Sequence, residues 1–148
     1  MSERTVAIRL KIPDNEAYTA LTALRRLGVE IGRLERAEIW TFEDAGSGQD
    51  FLARVERNET LFNPNKHELH LLDDGRPREG EVWVEELGAH DDVRGHLGGK
   101  GIAGVKRARR YVGWRLFREG HEPANDQTVR MAVERLLCNP AIERAITR

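Results

Sequence analysis

The phrase Leu-x-Asn-Pro occurs twice in the chain, each time after a segment whose apolar residues have helical spacing. It spans Leu61 to Pro64 and again Leu137 to Pro140. Proline disfavours helical geometry at the residue that precedes it, so each phrase is a helix stop signal. The same stop signal after two similar segments predicts that the chain contains two copies of one structural unit.

The order of predicted elements also occurs twice. Alternating apolar residues predict a strand over residues 6–12, and Asp14 and Gly28 are the expected N-cap and C-cap of the helix that follows. A long strand over residues 31–42, a helix over 50–62 and a short strand over 68–72 complete the first copy, residues 1–75.

The second copy starts after a polar segment, residues 76–81, which we interpret as a linker. Residues 82–148 then give a strand at 82–84, a first helix shortened to a turn or two, a long strand at 105–117, a helix at 129–137 and a strand at 141–146. A shift of 76 residues places Val6 on Val82 and Leu61 on Leu137. For the long strand we use a shift of 71, which places Trp40 on Tyr111.

A unit of about 70 residues buries little apolar surface and leaves sheet edges uncovered. Packing the two copies against each other would relieve both problems. The predicted fold is therefore α+β, with two repeats packed as an intramolecular pseudo-dimer.

Composition excludes several classes of protein. The net charge of −1 gives no global reason to bind nucleic acid or an anionic membrane. The sequence has no apolar run of membrane-spanning length and no signal-peptide pattern, and it contains one cysteine, Cys138. We expect a cytoplasmic protein with no membrane partner.

Three local patterns suggest chemistry, and none of them is convincing. The glycine-rich segment 95–104 lacks the spacing of a phosphate-binding loop. His67 and His70 should point to opposite faces of a strand, and a group at His90, Asp91, Asp92 and His96 is better explained as a helix start. We expect no catalytic residue, no metal and no cofactor.

The densest basic segment is the predicted strand 105–117. If it is extended, Arg107, Arg109, Tyr111 and Arg115 share one of its faces. Such a face suits a solvated surface, an acidic protein partner or RNA, and the sequence leaves these alternatives open.

The order of elements, the segment "VAIRLKIPDNEAYTALTALRRLGVEIGRLERAEIW" and the two "NP" phrases resemble the PurS family, the small subunit of phosphoribosylformylglycinamidine synthase. Leu10-Lys11 matches the end of the family's first strand, and Leu27-Gly28 matches the end of its first helix. The resemblance covers nearly the whole chain, but as two copies where family members have one. Pro13-Asp14 stands where the family usually has a Pro-x-Gly turn.

The resemblance implies a ferredoxin-like related fold and a non-catalytic structural role in purine biosynthesis. The partners it implies are the synthetase and glutaminase subunits, within an ATP-dependent carbon–nitrogen ligase, and a homodimer is possible. We predict a partner interface on the features that differ between the copies, and a structural motif that they share. The interface residues are Arg107, Arg109, Arg115, Gly98, Gly99 and Lys100; the motif residues are Leu61, Asn63, Pro64, Leu137, Asn139 and Pro140. The alternative function is a ferredoxin-like module that uses strand 105–117 to bind RNA or to act as a small-ligand regulator. If the chain is instead a PurS-like subunit, nucleic acid is not expected as a partner.

Overall fold

The structure, a computed structural model, describes residues 2–44, 50–72, 74–88, 101, 102 and 104–148. Over these residues it has six strands and three α-helices, and the strands form an antiparallel sheet in the order β3-β1-β2-β5-β4-β6. The predicted α+β class is confirmed. The bounds are β1 Ser2–Leu10, α1 Asn15–Arg26, β2 Arg33–Asp44, α2 Phe51–Glu56, β3 His67–Leu72, β4 Glu81–Glu86, β5 Val105–Phe117, α3 Asp126–Ala132 and β6 Glu143–Thr147.

Helix α1 begins and ends where the sequence predicts. The Asp14 carboxylate accepts hydrogen bonds from the backbone N–H groups of Glu16 and Ala17, at 3.0 and 3.2 Å, which satisfies two of the helix's unpaired donors. At the other end Gly28 has a φ of +86°, the left-handed conformation that stops a helix. Arg135 closes this end by donating to the carbonyl of Leu27 at 2.6 Å.

Helix α2 is shorter than predicted, because a buried asparagine takes over its backbone bonding. It ends at Glu56, whereas apolar spacing had extended it to residue 62. The side-chain oxygen of Asn58 accepts from the N–H groups of Thr60 and Leu61 at 3.0 and 3.3 Å, so the chain turns there. The Asn58 amide also donates to the carbonyl of Gly101 at 2.9 Å.

Helix α3 continues as a π-helical segment, Val133–Leu137. Asn125 caps its start by accepting from the N–H of Thr128 at 2.8 Å. The N–H of Cys138 donates to the carbonyl of Val133 at 3.3 Å, the five-residue spacing of a π-turn. The helical segment ends at Leu137 and Cys138 is already extended, so the helix stops just before the Asn-Pro phrase.

The chain divides into two compact units, and neither is one predicted repeat. The first consists of Met1–Ile12, Glu38–Gly75 and Gly88–Arg110; the second consists of Pro13–Ala37, Arg76–Leu87 and Tyr111–Arg148. The long strands β2 and β5 each contribute one part to each unit. Both units therefore combine segments from both halves of the sequence, which the predicted division into 1–75 and 82–148 did not foresee.

The core of the first unit lies between α2 and one face of its strands. Trp40 stacks on Phe42 with ring centroids 5.8 Å apart, and Phe42 meets the edge of the Phe51 ring at 5.6 Å. Further buried members come from both halves of the sequence: Val6, Ile8, Val55, Leu61, Ile102, Val105 and Ala108.

The core of the second unit is built from α1, α3 and the π-helical segment on its part of the sheet. Its buried members are Leu24, Val29, Ile31, Leu34, Val82, Val84, Leu116, Ala124, Val129, Ala132 and Leu137. Gly32 makes a close approach possible here, because an added Cβ would lie 2.3 Å from the carbonyl oxygen of Arg118.

The predicted linker 76–81 is packed into the second unit rather than solvated along its length. Pro77, Gly80 and Glu81 are buried. The Glu81 carboxylate accepts from the backbone N–H of Arg78 at 2.8 Å and from the guanidinium of Arg78 at 3.1 Å. These contacts fix the direction in which the chain enters β4.

The two halves share one pattern of strand pairing. The pairs between β1 and β3 include Val6 with Leu71 and Leu10 with His67. A shift of 76 turns them into Val82 with Thr147 and Glu86 with Glu143, which are the pairs that β4 and β6 form. Each half of the sequence thus pairs its first and last strands in the same register.

The register of the long strands corrects the sequence alignment. β1 pairs Val6 with Trp40, and β4 pairs Val82 with Trp114. The equivalent of Trp40 is therefore Trp114, a shift of 74, and the predicted shift of 71 onto Tyr111 is wrong. An error of an odd number of residues exchanges the two faces of a strand. The sequence does not distinguish the two faces of β2 at this point, because the neighbours Ile39 and Trp40 are both apolar and both buried.

None of the helices in the described part of the chain is long and apolar enough to span a bilayer.

Candidate partner-binding surfaces

The first Asn-Pro phrase forms a hydrogen-bonded corner between the turns that follow α2 and the start of β3. The side-chain oxygen of Asn63 accepts from the N–H of Asn65 at 2.9 Å. The backbone carbonyl of Asn63 accepts from the N–H groups of Lys66 and His67 at 2.9 and 2.8 Å. The N–H of Asn63 donates to Nδ1 of His67 at 2.9 Å. Asparagine suits this place because its side chain replaces backbone partners at a turn.

The second phrase forms the same corner before β6. The side-chain oxygen of Asn139 accepts from the N–H of Ala141 at 3.1 Å. The backbone carbonyl of Asn139 accepts from the N–H groups of Ile142 and Glu143 at 3.0 and 2.8 Å. Glu143 replaces His67 as the acceptor for the asparagine N–H, at 2.9 Å. Leu61 and Leu137, which precede the corners, are 4% and 8% exposed. We call these turns the first and second Asn-Pro corners.

The predicted interface arginines are not alike in exposure. The Arg107 side chain is 70% exposed, and its Nε lies 3.8 Å from a carboxylate oxygen of Glu43. Arg109 and Arg115 are half-buried, and the guanidinium of Arg115 lies 5.0 Å from the ring centre of Phe117. Arg107 and Arg109 belong to the first unit and Arg115 to the second, while Gly98, Gly99 and Lys100 lie outside the described residues.

The aromatic residue assigned to the basic face of β5 is not at the surface. Tyr111 is 6% exposed and packs on Trp83, with ring centroids 5.5 Å apart. Trp83 is opposite Gly113, so the glycine leaves room for the tryptophan beside Tyr111. The expectation of one exposed face carrying Arg107, Arg109, Tyr111 and Arg115 is wrong at Tyr111.

An open groove of about 450 Å³ lies in the second unit, beside α1. Trp114, Leu136 and Leu137 line it together with Ala20 and Ala23, and Glu16 is the one charged residue among the described residues of its lining. An apolar groove with a single carboxylate suits an aliphatic side chain and does not suit a phosphate.

His67 and His70 have local partners. His67 accepts at the first corner, and Nε2 of His70 lies 3.3 Å from a carboxylate oxygen of Glu68. Within the described residues, no three side chains of metal-ligating type converge. His90, Asp91, Asp92 and His96 lie outside that part of the chain.

Cys138, beside the second corner, is half-buried. Burial, and then the nearby carboxylate of Glu143, raise the pKa of the Cys138 thiol above its ordinary value. A nucleophilic cysteine requires the opposite shift, because the thiolate is the reactive form. Its geometry therefore fits a packing residue.

Sequence reasoning missed the residues that extend the two strand pairs into the corners. The backbone N–H of Lys11 donates to the carbonyl of Lys66 at 2.8 Å. At the equivalent place, the backbone N–H of Leu87 donates to the carbonyl of Ile142 at 2.7 Å. The sequence contains a signal for these residues, since a shift of 76 aligns Lys11 with Leu87 and Lys66 with Ile142.

No protein-family model matches the chain, and no curated protein matches it.

Proposed function

We propose that the chain is a tandem PurS-like protein, a non-catalytic structural subunit that joins the synthetase and glutaminase of a phosphoribosylformylglycinamidine synthase. In this proposal the two repeats form an intramolecular pseudo-dimer. The complex carries out the ATP-dependent carbon–nitrogen ligation, and this subunit keeps the two enzymes in register.

The observation that carries the proposal is the equivalence of the two halves. The β1–β3 and β4–β6 pairs have the same register, and the two Asn-Pro corners have the same hydrogen bonds. The PurS resemblance is based on the order of these strands and on the phrase that forms the corners. Support also comes from the exposed Arg107, which is available to a partner.

The RNA-binding alternative is less well supported. Modules that bind single-stranded RNA on a sheet stack bases on exposed aromatic side chains. On β5 Tyr111 and Phe117 are buried, and the Arg33 guanidinium already lies 4.2 Å from the ring centre of Phe117. The face of β5 that carries Arg107, Arg109 and Arg115 thus has no exposed aromatic side chain among its described residues, and the half-buried Trp114 belongs to the other face.

Reconstitution of the ligase from purified subunits tests the proposal. The synthetase should use free ammonia without this chain, whereas glutamine-dependent activity should require it together with the glutaminase. Equal glutamine-dependent activity with and without the chain, or failure to bind either enzyme, would reject the proposed function.

Charge reversal tests the interface residue within the same assay. Arg107→Glu should leave the fold intact, because one exposed ion pair contributes only about 0–1 kcal/mol. Association with an enzyme partner should weaken by about tenfold at low salt, since steering charges act mainly on the association rate. The control is Arg76→Glu, an exposed arginine of the second unit. Equal loss in both variants would remove Arg107 from the interface.

A further inference from the structure

Three of the seven large apolar side chains that the described residues expose lie around α1. Tyr18 is 71% exposed, Leu27 is 43% exposed and Leu136 is 41% exposed. Tyr18 and Leu27 border a second open groove of about 450 Å³, which shares Thr19 and Ala23 with the first groove. The outer side of α1 therefore differs from the convex polar surface of a fully solvated helix, and exposed apolar patches of this kind mark interaction sites.

Four residues of α1 line these grooves from one face of the helix: Glu16, Thr19, Ala23 and Arg26. They follow one another at intervals of three, four and three residues, the spacing that keeps side chains on one helical face. The buried residues of α1, Ala17 and Leu24, point away from this face into the core. We call the four residues the α1 strip.

The α1 strip has the same spacing in both directions of the chain. Its intervals are symmetric about position 21, so an antiparallel contact between two copies of α1 places Glu16 opposite Arg26 and Thr19 opposite Ala23. Opposite charges then meet at both ends, and small side chains at the centre allow the helix axes to approach closely. A twofold contact joins the same patch of both subunits, and it therefore requires a self-complementary surface of this kind.

The ends of the α1 strip are available for such a contact. The Glu16 side chain is 71% exposed, and Arg36 holds its carboxylate at 3.0 Å. Arg26 is exposed and forms no ion pair within the part of the chain that the structure describes. In the same register Leu27 comes opposite Asn15, which lines the end of the first groove, and that groove suits an aliphatic side chain.

We infer that the α1 strip is an interface between two copies of this chain, packed antiparallel about a twofold axis near position 21. The order of charges names the occupant. A helix of another protein would need a base and an acid at the matching separation and in the opposite direction, whereas a second α1 supplies both. The inference is independent of the proposed function, because it concerns this chain alone.

Charge reversal at either end of the α1 strip tests the contact. Sedimentation equilibrium of the purified chain over a range of concentrations measures the dimer dissociation constant. E16R and R26E each bring like charges together at both ends of the contact, so each should weaken dimerisation by at least about tenfold at low salt. Both variants should keep the circular dichroism spectrum of the unmodified chain, because exposed charges contribute little to stability.

A mixture of the two variants tests the antiparallel register. The E16R chain carries arginine at both ends of its strip, and the R26E chain carries glutamate at both. Each is therefore complementary to the other, and the mixture should form a heterodimer about as strong as the unmodified dimer. The control is E119R, the same charge change at an exposed residue of the second unit outside the strip, and it should dimerise as the unmodified chain does.

Each other outcome overturns the inference. A chain that is monomeric at every concentration has no such interface, and a dimer that E16R and R26E leave intact has its interface elsewhere. If both variants weaken the dimer and their mixture does not restore it, the two helices are not antiparallel in this register. A monomeric chain that loses affinity for the synthetase or the glutaminase through E16R would assign the α1 strip to that enzyme.

Discussion

One cross-strand pair of oppositely charged residues occurs in both halves of the chain with its charges exchanged. In the first half Arg9 is opposite Glu68, and in the second half Glu85 is opposite Arg144. The guanidinium of Arg144 donates to the Glu85 carboxylate at 2.6 Å, and the Glu85 side chain is only 9% exposed. The same place in the fold therefore accepts either polarity as long as the charges are opposite.

This exchange predicts the outcome of a charge swap. Glu85→Arg or Arg144→Glu alone should destabilise the chain by about 1–3 kcal/mol, because each places like charges together where the side chain at position 85 is buried and that at position 144 is half exposed. The double variant E85R/R144E should recover at least half of that loss, since it reproduces the polarity of the first half. Urea denaturation of the four chains of the cycle measures the coupling. A double variant as unstable as the sum of the single ones would contradict the equivalence of the two sites.

The leucines before the Asn-Pro corners should matter to a similar extent. Leu61→Ala and Leu137→Ala should each lower the free energy of unfolding by about 2–5 kcal/mol, the range for a buried leucine that leaves a cavity. The control is Leu71→Ala, because Leu71 is 43% exposed. Equal midpoints of denaturation for Leu61→Ala and the control would show that the site is not packed.

At the scale of elements, α1 depends on one carboxylate with two tasks. Asp14 caps the helix and also accepts from Nε of Arg36 at 3.1 Å. Asp14→Ala should cost about 1–2 kcal/mol, mostly from the lost cap. Asp14→Asn keeps a capping oxygen and loses the charge, so it should cost less than half as much. Thermal unfolding followed by circular dichroism distinguishes the two variants, and equal losses would mean that the ion pair dominates.

At the scale of the whole molecule, each compact unit contains segments from both halves of the sequence. Residues 1–75 hold α1, which belongs to the second unit, and residues 82–148 supply part of β5 to the first. Neither half contains all the strands and helices of either unit. Covalent continuity between the halves is therefore less important for the fold than the presence of both.

Fragments test this directly. Residues 1–75 and 76–148, produced separately, should each lack a cooperative unfolding transition, since each leaves apolar faces uncovered. Mixed in equal amounts, they should regain the circular dichroism spectrum and the cooperative unfolding of the intact chain. A single fragment that unfolds cooperatively as a monomer would contradict the expectation that each unit needs segments from both halves.

Local signals in the sequence determined most of the elements. The Asp14 cap, the Gly28 stop and the bounds of β5 follow from rules that act over a few residues, and they agree with the structure. The second Asn-Pro phrase follows a helical segment as predicted, whereas the first does not stop a helix, because α2 already ends at Glu56. The equivalence of the corners was visible as a repeated phrase. The α+β class follows from the order of these elements.

Tertiary structure decided what depends on distant partners. The amide of Asn58, which turns the chain after α2, is held by the distant carbonyl of Gly101. The offset between β2 and β5 depends on which residues β1 and β4 pair with. Tyr111 is buried because Trp83 is beside it, although its spacing placed it on a charged face. The compact units combine both halves because long strands can serve two cores at once, and residue patterns record the faces of a strand but not which core each end of it enters.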